Sequence, residues 1–147
     1  MSVQIKQNAD ASVGLQGTDL DDGGFMTLSM PYSAVVNTAG NFLICSGHVL
    51  NRRAVVKAIT GCVDATASVA CTLQVWRAPS GTALGSGTLL HTGSFNLQGT
   101  VNTNQALALA ALASTLDIPA GTRIGFIINT SPTSNAVGVI TVTLAPA

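Results

Sequence analysis

Two histidines, three cysteines and one acidic run are the residues of this chain whose types could do chemistry. His48 and His91 could act as general bases or metal ligands. They lie far apart in the sequence, and no paired carboxylates accompany them. His48 sits in a glycine-containing turn and His91 follows Leu90, so both read as surface turn residues. Cys45, Cys62 and Cys71 could join His48 around zinc, but the chain has no C-x-x-C pair. An odd, scattered set of thiols reads instead as reduced and buried like small hydrophobes. Asp19-Leu20-Asp21-Asp22-Gly23-Gly24 opens like a calcium loop. Its fifth position is Gly23 and its twelfth is Met30, where such loops carry Asp or Asn and then Glu. The run reads better as a flexible acidic linker, or as an arm that pairs with basic residues such as Arg52 and Arg53.

Other chemistries lack their residues. There is no Glu, so a two-carboxylate glycosidase site would have to be built from Asp alone. Neither a phosphate-binding G-x-x-x-x-G-K-[ST] loop nor a G-x-S-x-G nucleophile turn occurs. Trp76, followed by Arg77, could stack on a sugar or anchor a partner. With aromatics at only 4% of the chain, Trp76 is better read as a cover over one end of a core. No catalytic residue, cofactor or metal ligand is expected.

The elements that would carry these residues are strands. Ser114 to Asn129 reads as strand, turn, strand, because Pro119 presets φ for a turn and Gly121 can take positive φ. After that turn Ile124, Phe126 and Ile128 share one face at period two, and Ile127 makes the other face apolar too. This predicts a central strand with something packed over it. Ser68 to Trp76 alternates cleanly, with Val69, Cys71, Leu73 and Val75 inward. Val55 and Ile59 are expected on one face of a strand that Gly61 interrupts. A hairpin is expected from Val35-Val36 to Phe42–Cys45, broken by Ser46-Gly47-His48. Phe25 to Met30 alternates, and Pro31 either stops it or puts it at an edge. Gln105 to Ala113 suits a strand or a helical turn, and its shortness favours a strand. Val137 to Leu144 closes the chain with Ile140, Val142 and Leu144 in phase.

Composition agrees. The chain has 147 residues, one domain's worth, and only 8% are charged against a usual share of about 25%. Thr, Val, Ala, Ser and Gly favour strands and turns. Short strands with turn signals about every 8–12 residues predict an all-β fold, an antiparallel, jelly-roll-like β-sandwich over 25–147. Residues 1–24 are expected to form an extended N-terminal arm, with four Asp against Lys6. So few charges make a poor surface for a free monomer, which points to coverage by other subunits. Zero net charge argues against nucleic acid as a partner. The polar opening M-S-V-Q-I-K-Q-N-A-D lacks a signal peptide's apolar core, and no run is apolar enough for a membrane helix.

Three stretches resemble a known group. They are V-W-R-A-P-S-G-T-A-L-G-S-G-T-L-L-H-T-G-S-F-N-L-Q-G-T-V-N-T-N-Q (Val75 to Gln105), T-L-D-I-P-A-G-T-R-I-G-F-I-I-N (Thr115 to Asn129) and G-V-I-T-V-T-L (Gly138 to Leu144). This pattern resembles the β-sandwich structural proteins of tailed-bacteriophage virions, and within them the head decoration, or cement, proteins. The resemblance implies a protein made in a bacterial cytoplasm that binds the outside of the major capsid protein and stabilises the shell. It implies self-association as a dimer or trimer. A head fibre or tail component is the alternative role. A carbohydrate-binding module is the alternative of another class, with a host-surface glycan as its partner. The partner-binding residues expected are Asp19, Asp21 and Asp22 of the arm and Arg52, Arg53 and Lys57 of the body.

Overall fold

The computed structural model describes residues 25–34, 42–49, 51–129 and 136–147, with backbone alone at 33–34 and 42–49. The expected arm, the Asp19–Gly24 run and the turn of the expected 35–45 hairpin lie outside the described residues.

Among the described residues, ten strands form two sheets. One sheet holds β1 (Met26–Ala34), β10 (Ala136–Pro146), β3 (Ala54–Ala65) and β7 (Asn104–Leu107) in that order, with β8 (Asp117–Ile118) also on β3. The other holds β2 (Phe42–Val49), β9 (Arg123–Ile128), β4 (Thr72–Ala78) and β5 (Thr88–Leu89), with β6 (Phe95–Asn96) also on β4. Every pairing is antiparallel. The sheets curl into a half-barrel, a jelly-roll-like β-sandwich, as the strand spacing predicts.

The inner faces of both sheets make one core. Met30, Val56, Ile59, Leu73, Val75 and Ile140 belong to it, together with the Ile124, Phe126, Ile128 face of β9. Burying each large side chain stabilises the fold by about 1.5–3 kcal/mol before the ordering cost. β9 lies between β2 and β4 and buries both its faces, as its apolar pattern requires.

Several expectations are corrected. The Ser114–Asn129 unit is not a hairpin. Its turn forms, with Gly121 at φ 80° and Thr122 N–H donating to the Pro119 carbonyl. But β8 before it pairs with β3, and β9 after it pairs with β2 and β4, so the turn carries the chain from one sheet to the other. Residues 113–116 are a single helical turn, α1, not strand.

Gly61 does not interrupt β3; it lets the strand pass beneath Phe95 and Ile140, where a Cβ would meet their side chains at 2.8 and 2.7 Å. Ser46-Gly47-His48 is not a break either; β2 runs through it with a register shift between Cys45 and His48. Of the two outcomes expected at Pro31 the edge is the one found: β1 continues through it to Ala34 as the edge strand of its sheet among the described residues. Val55 and Ile59 are not on one face: Ile59 is buried and Val55 only partly, because the β3–β10 register shifts between them.

The sandwich is closed along one side. Residues 104–107 pair with β3, and two residues later Leu109 bridges to His91 beyond β5. Backbone bonds from Thr92 N to Ala108 O (2.8 Å) and from Ala110 N to Leu90 O (3.0 Å) complete the closure. Gln105–Ala113 therefore reads as neither one strand nor one helix, because it leaves one sheet and joins the other.

Candidate interaction surface

The described residues offer no constellation for catalysis. None of their His, Cys, Asp and Glu side chains group in threes that could hold a metal ion. His91 is not the surface residue its turn suggests: it is buried, at 2% exposure. Its Nε2 accepts the Val75 N–H at 2.8 Å and its Nδ1 faces the Thr92 carbonyl at 3.3 Å. Val75 can only donate, so the proton of the neutral ring sits on Nδ1. Burial pushes the His91 pKa below its ordinary value, against the opposing pull of the Thr92 and Gly93 carbonyls. The ring takes the place of a strand neighbour for β4. Cys71 is buried, and burial pushes its thiol pKa up. Cys62 is half-buried on the outer side of β3.

Charged side chains mostly serve the fold. Arg53 makes a two-pronged ion pair with Asp117, both bonds at 2.8 Å. That pairing holds the Asp117 carboxyl below the usual carboxylate range. Both groups are solvent-accessible, so the pair is a weak staple between β3 and β8. Arg77, at the end of β4, reaches across the sandwich to α1. Its Nε donates to the Thr115 carbonyl at 2.9 Å and an Nη to Ser114 at 3.2 Å, satisfying carbonyls a one-turn helix leaves open. Arg77→Ala is expected to lower stability by about 1–2 kcal/mol. Lys in its place should recover little, since one ammonium does not reproduce the planar fork. Thermal melts of the three proteins check this.

The outer faces of the two sheets differ. On the β2–β9–β4 sheet the loop after β4 folds back: Leu84 packs on Ala78, Ile127 and Trp76, and Arg123 donates to the Thr82 carbonyl. Trp76 is thus outward-facing, as expected, but it lies under this loop and covers the outside of the sheet rather than an end of the core.

On the other sheet the outer face is a grid set by strand register. Pro31, Val139 and Cys62 form one row. Ser29, Thr141 and Thr60 form the next, and Thr27, Thr143 and Ala58 the third. No formal charge stands among these nine. The charges stand at the two ends of β3, where its register against β10 shifts between Leu144 and Thr143 and again between Gly138 and Val137. At each shift β3 has one residue more than its partner, Lys57 at one and Asp64 at the other, and both are exposed.

The residues expected to bind partners therefore fall in different places. Asp19, Asp21 and Asp22 are outside the described residues. Arg52 is exposed just before β3. Arg53 is held by Asp117, and Lys57 stands at the border of the uncharged face. Asp64, its counterpart, was not singled out by sequence. The signal available was a charged residue within an apolar strand at the same phase as its neighbours.

The fold defines an all-β protein of the jelly-roll-like sandwich class. No protein-family profile matches the chain, and no curated protein does. Among solved structures, a chain of the cyanophage Pam1 capsid asymmetric unit is similar at 16% identity and a TM-score of 0.46, over 95% of this chain and 96% of that one. A chain of the infectious bursal disease virus Gx strain is similar at 10% identity and the same TM-score of 0.46, over 91% of this chain and 36% of that one. This chain thus spans about a third of the latter's length. Likeness at this level does not define a role.

Proposed function

We propose that this protein is a non-enzymatic structural component of a virus particle, a decoration protein that binds the outside of the major capsid shell and stabilises it. The observation that carries the reading is the uncharged outer grid flanked by β1, the edge strand of its sheet among the described residues. It is a surface suited to lying against other protein, in a chain with very few charges anywhere. The resemblance of Val75–Gln105, Thr115–Asn129 and Gly138–Leu144 to phage virion sandwiches supports it. Contacts of this kind draw on apolar area and strand-edge hydrogen bonds, and many copies on one shell add their modest contacts by avidity.

Protein analysis of purified particles tests the reading. The chain is expected among the particle components at a fixed ratio to the major capsid protein, and released when the shell is stripped of surface proteins. Its absence from particles refutes the proposal. Recovery only from tail or fibre fractions favours the head-fibre or tail alternative. For the arm, deleting residues 1–22 is expected to reduce shell occupancy at least several-fold. Unchanged occupancy removes the arm, with Asp19, Asp21 and Asp22, from the binding role. A sugar-binding reading has less support, because Trp76 packs beneath the loop after β4.

A further inference from the structure

The uncharged grid fits one occupant better than others: the same grid on a second copy of this chain. We infer that two copies stack these faces about a two-fold axis, with β3 of one antiparallel to β3 of the other, so that each Lys57 meets the other copy's Asp64. This inference rests on the building-block reading of the protein but not on its place in a virion.

Three observations carry it. The first is the grid itself, which neither needs nor offers an ionic partner at its centre. The second is the placement of opposite charges at the two ends of one strand. They are seven positions apart, about 23 Å along an extended chain. A two-fold axis in the face and across the strands reverses strand direction, and its midpoint falls beside Thr60 and Thr141. Lys57 then lies level with Asp64 of the other copy, twice. An axis along the strands would put Lys57 level with Lys57, and Asp64 with Asp64. In a closed two-fold pair every contact occurs twice, so the charges select the antiparallel arrangement. The third is the contrast between the sheets: the opposite outer face carries its own covering loop, and no described residue covers this one.

The face is small. Three strands about 4.8 Å apart and some eight residues long present about 400 Å² per copy, half of the ~800 Å² typical of a stable partner. The isolated dimer is therefore weak, in the micromolar range or above, and an array of neighbours would reinforce it.

Sedimentation velocity on the full chain over about 10–500 µM tests this directly. A concentration-dependent dimer is expected. Lys57→Asp alone and Asp64→Lys alone should each weaken it about tenfold, because both meetings become like-charged. An equal mixture of the two variants should regain wild-type association, since each carries what the other lacks. A mixture no stronger than its components overturns the proposal, as does a chain that stays monomeric throughout. If either variant fails to fold, Thr141→Arg at the centre of the face replaces it, and a dimer unchanged by that substitution overturns the proposal. Zero-length cross-linking of mixed isotope-labelled and unlabelled chains should join Lys57 to Asp64 between copies. A link from Lys57 to Asp19, Asp21 or Asp22 of the same chain would instead seat the N-terminal segment on the face and overturn it. Loss of the dimer with the chain still on particles would sink this surface alone; a dimer without particle association would sink the virion reading alone.

Discussion

Gly138→Ala is expected to cost the fold more than about 3 kcal/mol, and so to yield insoluble or molten protein. Gly138 faces inward on β10, beside the register shift with β3. A Cβ there would run into the Cys62 carbonyl and the Tyr32 hydroxyl. The carbonyl belongs to the backbone of a central strand and cannot move without breaking the β3–β10 pairing. Tyr32, paired with Gly138 across β1 and β10, lays its ring over the glycine and meets Phe126 edge-on at 6.0 Å. The missing side chain is the seat for that ring. Gly61→Ala is the informative comparison. Its nearest obstacles are the tip of Ile140 and the edge of the Phe95 ring, side-chain atoms rather than backbone. It should cost clearly less, about 1–3 kcal/mol. Chemical denaturation of both variants, with near-ultraviolet circular dichroism for packing, makes the comparison. Equal effects at the two glycines would contradict the assignment of backbone and side-chain obstacles.

His91 sets a second large effect, and one that depends on pH. Its folded pKa is depressed, chiefly by burial. Below the ordinary histidine value near 6.5 the unfolded chain takes up a proton that the folded chain refuses. The His91 contribution is thus full above that pH and is lost as pH falls toward the folded pKa. Through that window stability should fall by up to about 1.4 kcal/mol per pH unit. Protonation would also put an N–H on Nε2 against the Val75 N–H, with no acceptor between them. His91→Leu removes the proton linkage but leaves the buried Val75 N–H unpaired, at a cost of about 1–3 kcal/mol at neutral pH. The variant should be less stable than wild type at pH 7.5 and show a flatter profile from pH 6.5 downward. Urea denaturation across that range checks both parts. A variant that keeps the wild-type slope would place the titrating group elsewhere.

These two positions show what was legible in the chain and what was not. The alternation of Leu73 with Val75, and of Ile140, Val142 and Leu144, announced buried faces because side-chain direction in a strand follows from local geometry alone. Gly138 and Gly61 carried no such signal; Gly61 read as a break and Gly138 as an ordinary strand position until the rings against them were known. His91 next to Leu90 looked like turn surface, and only the meeting of 90–92 with 108–110 buries it. The candidate surface was legible in part. Lys57 was named as a partner-binding residue, but its pairing with Asp64 as the two ends of an uncharged grid depends on where β3 slips against β10.

The amino-acid order by itself determined the class of this protein: strands rather than helices, a two-faced apolar β9, a turn at Pro119–Thr122, and a surface starved of charge. Each follows from interactions over a few residues, namely side-chain alternation, fixed φ at proline, positive φ at glycine and composition. Tertiary structure decided everything that depends on which strands meet. It sent β8 and β9 into different sheets although a hairpin-like turn joins them, folded the loop after β4 over Trp76, and left the β1–β10–β3 outer face uncovered by any described residue. Those outcomes turn on burial against distant segments, which a local pattern does not encode.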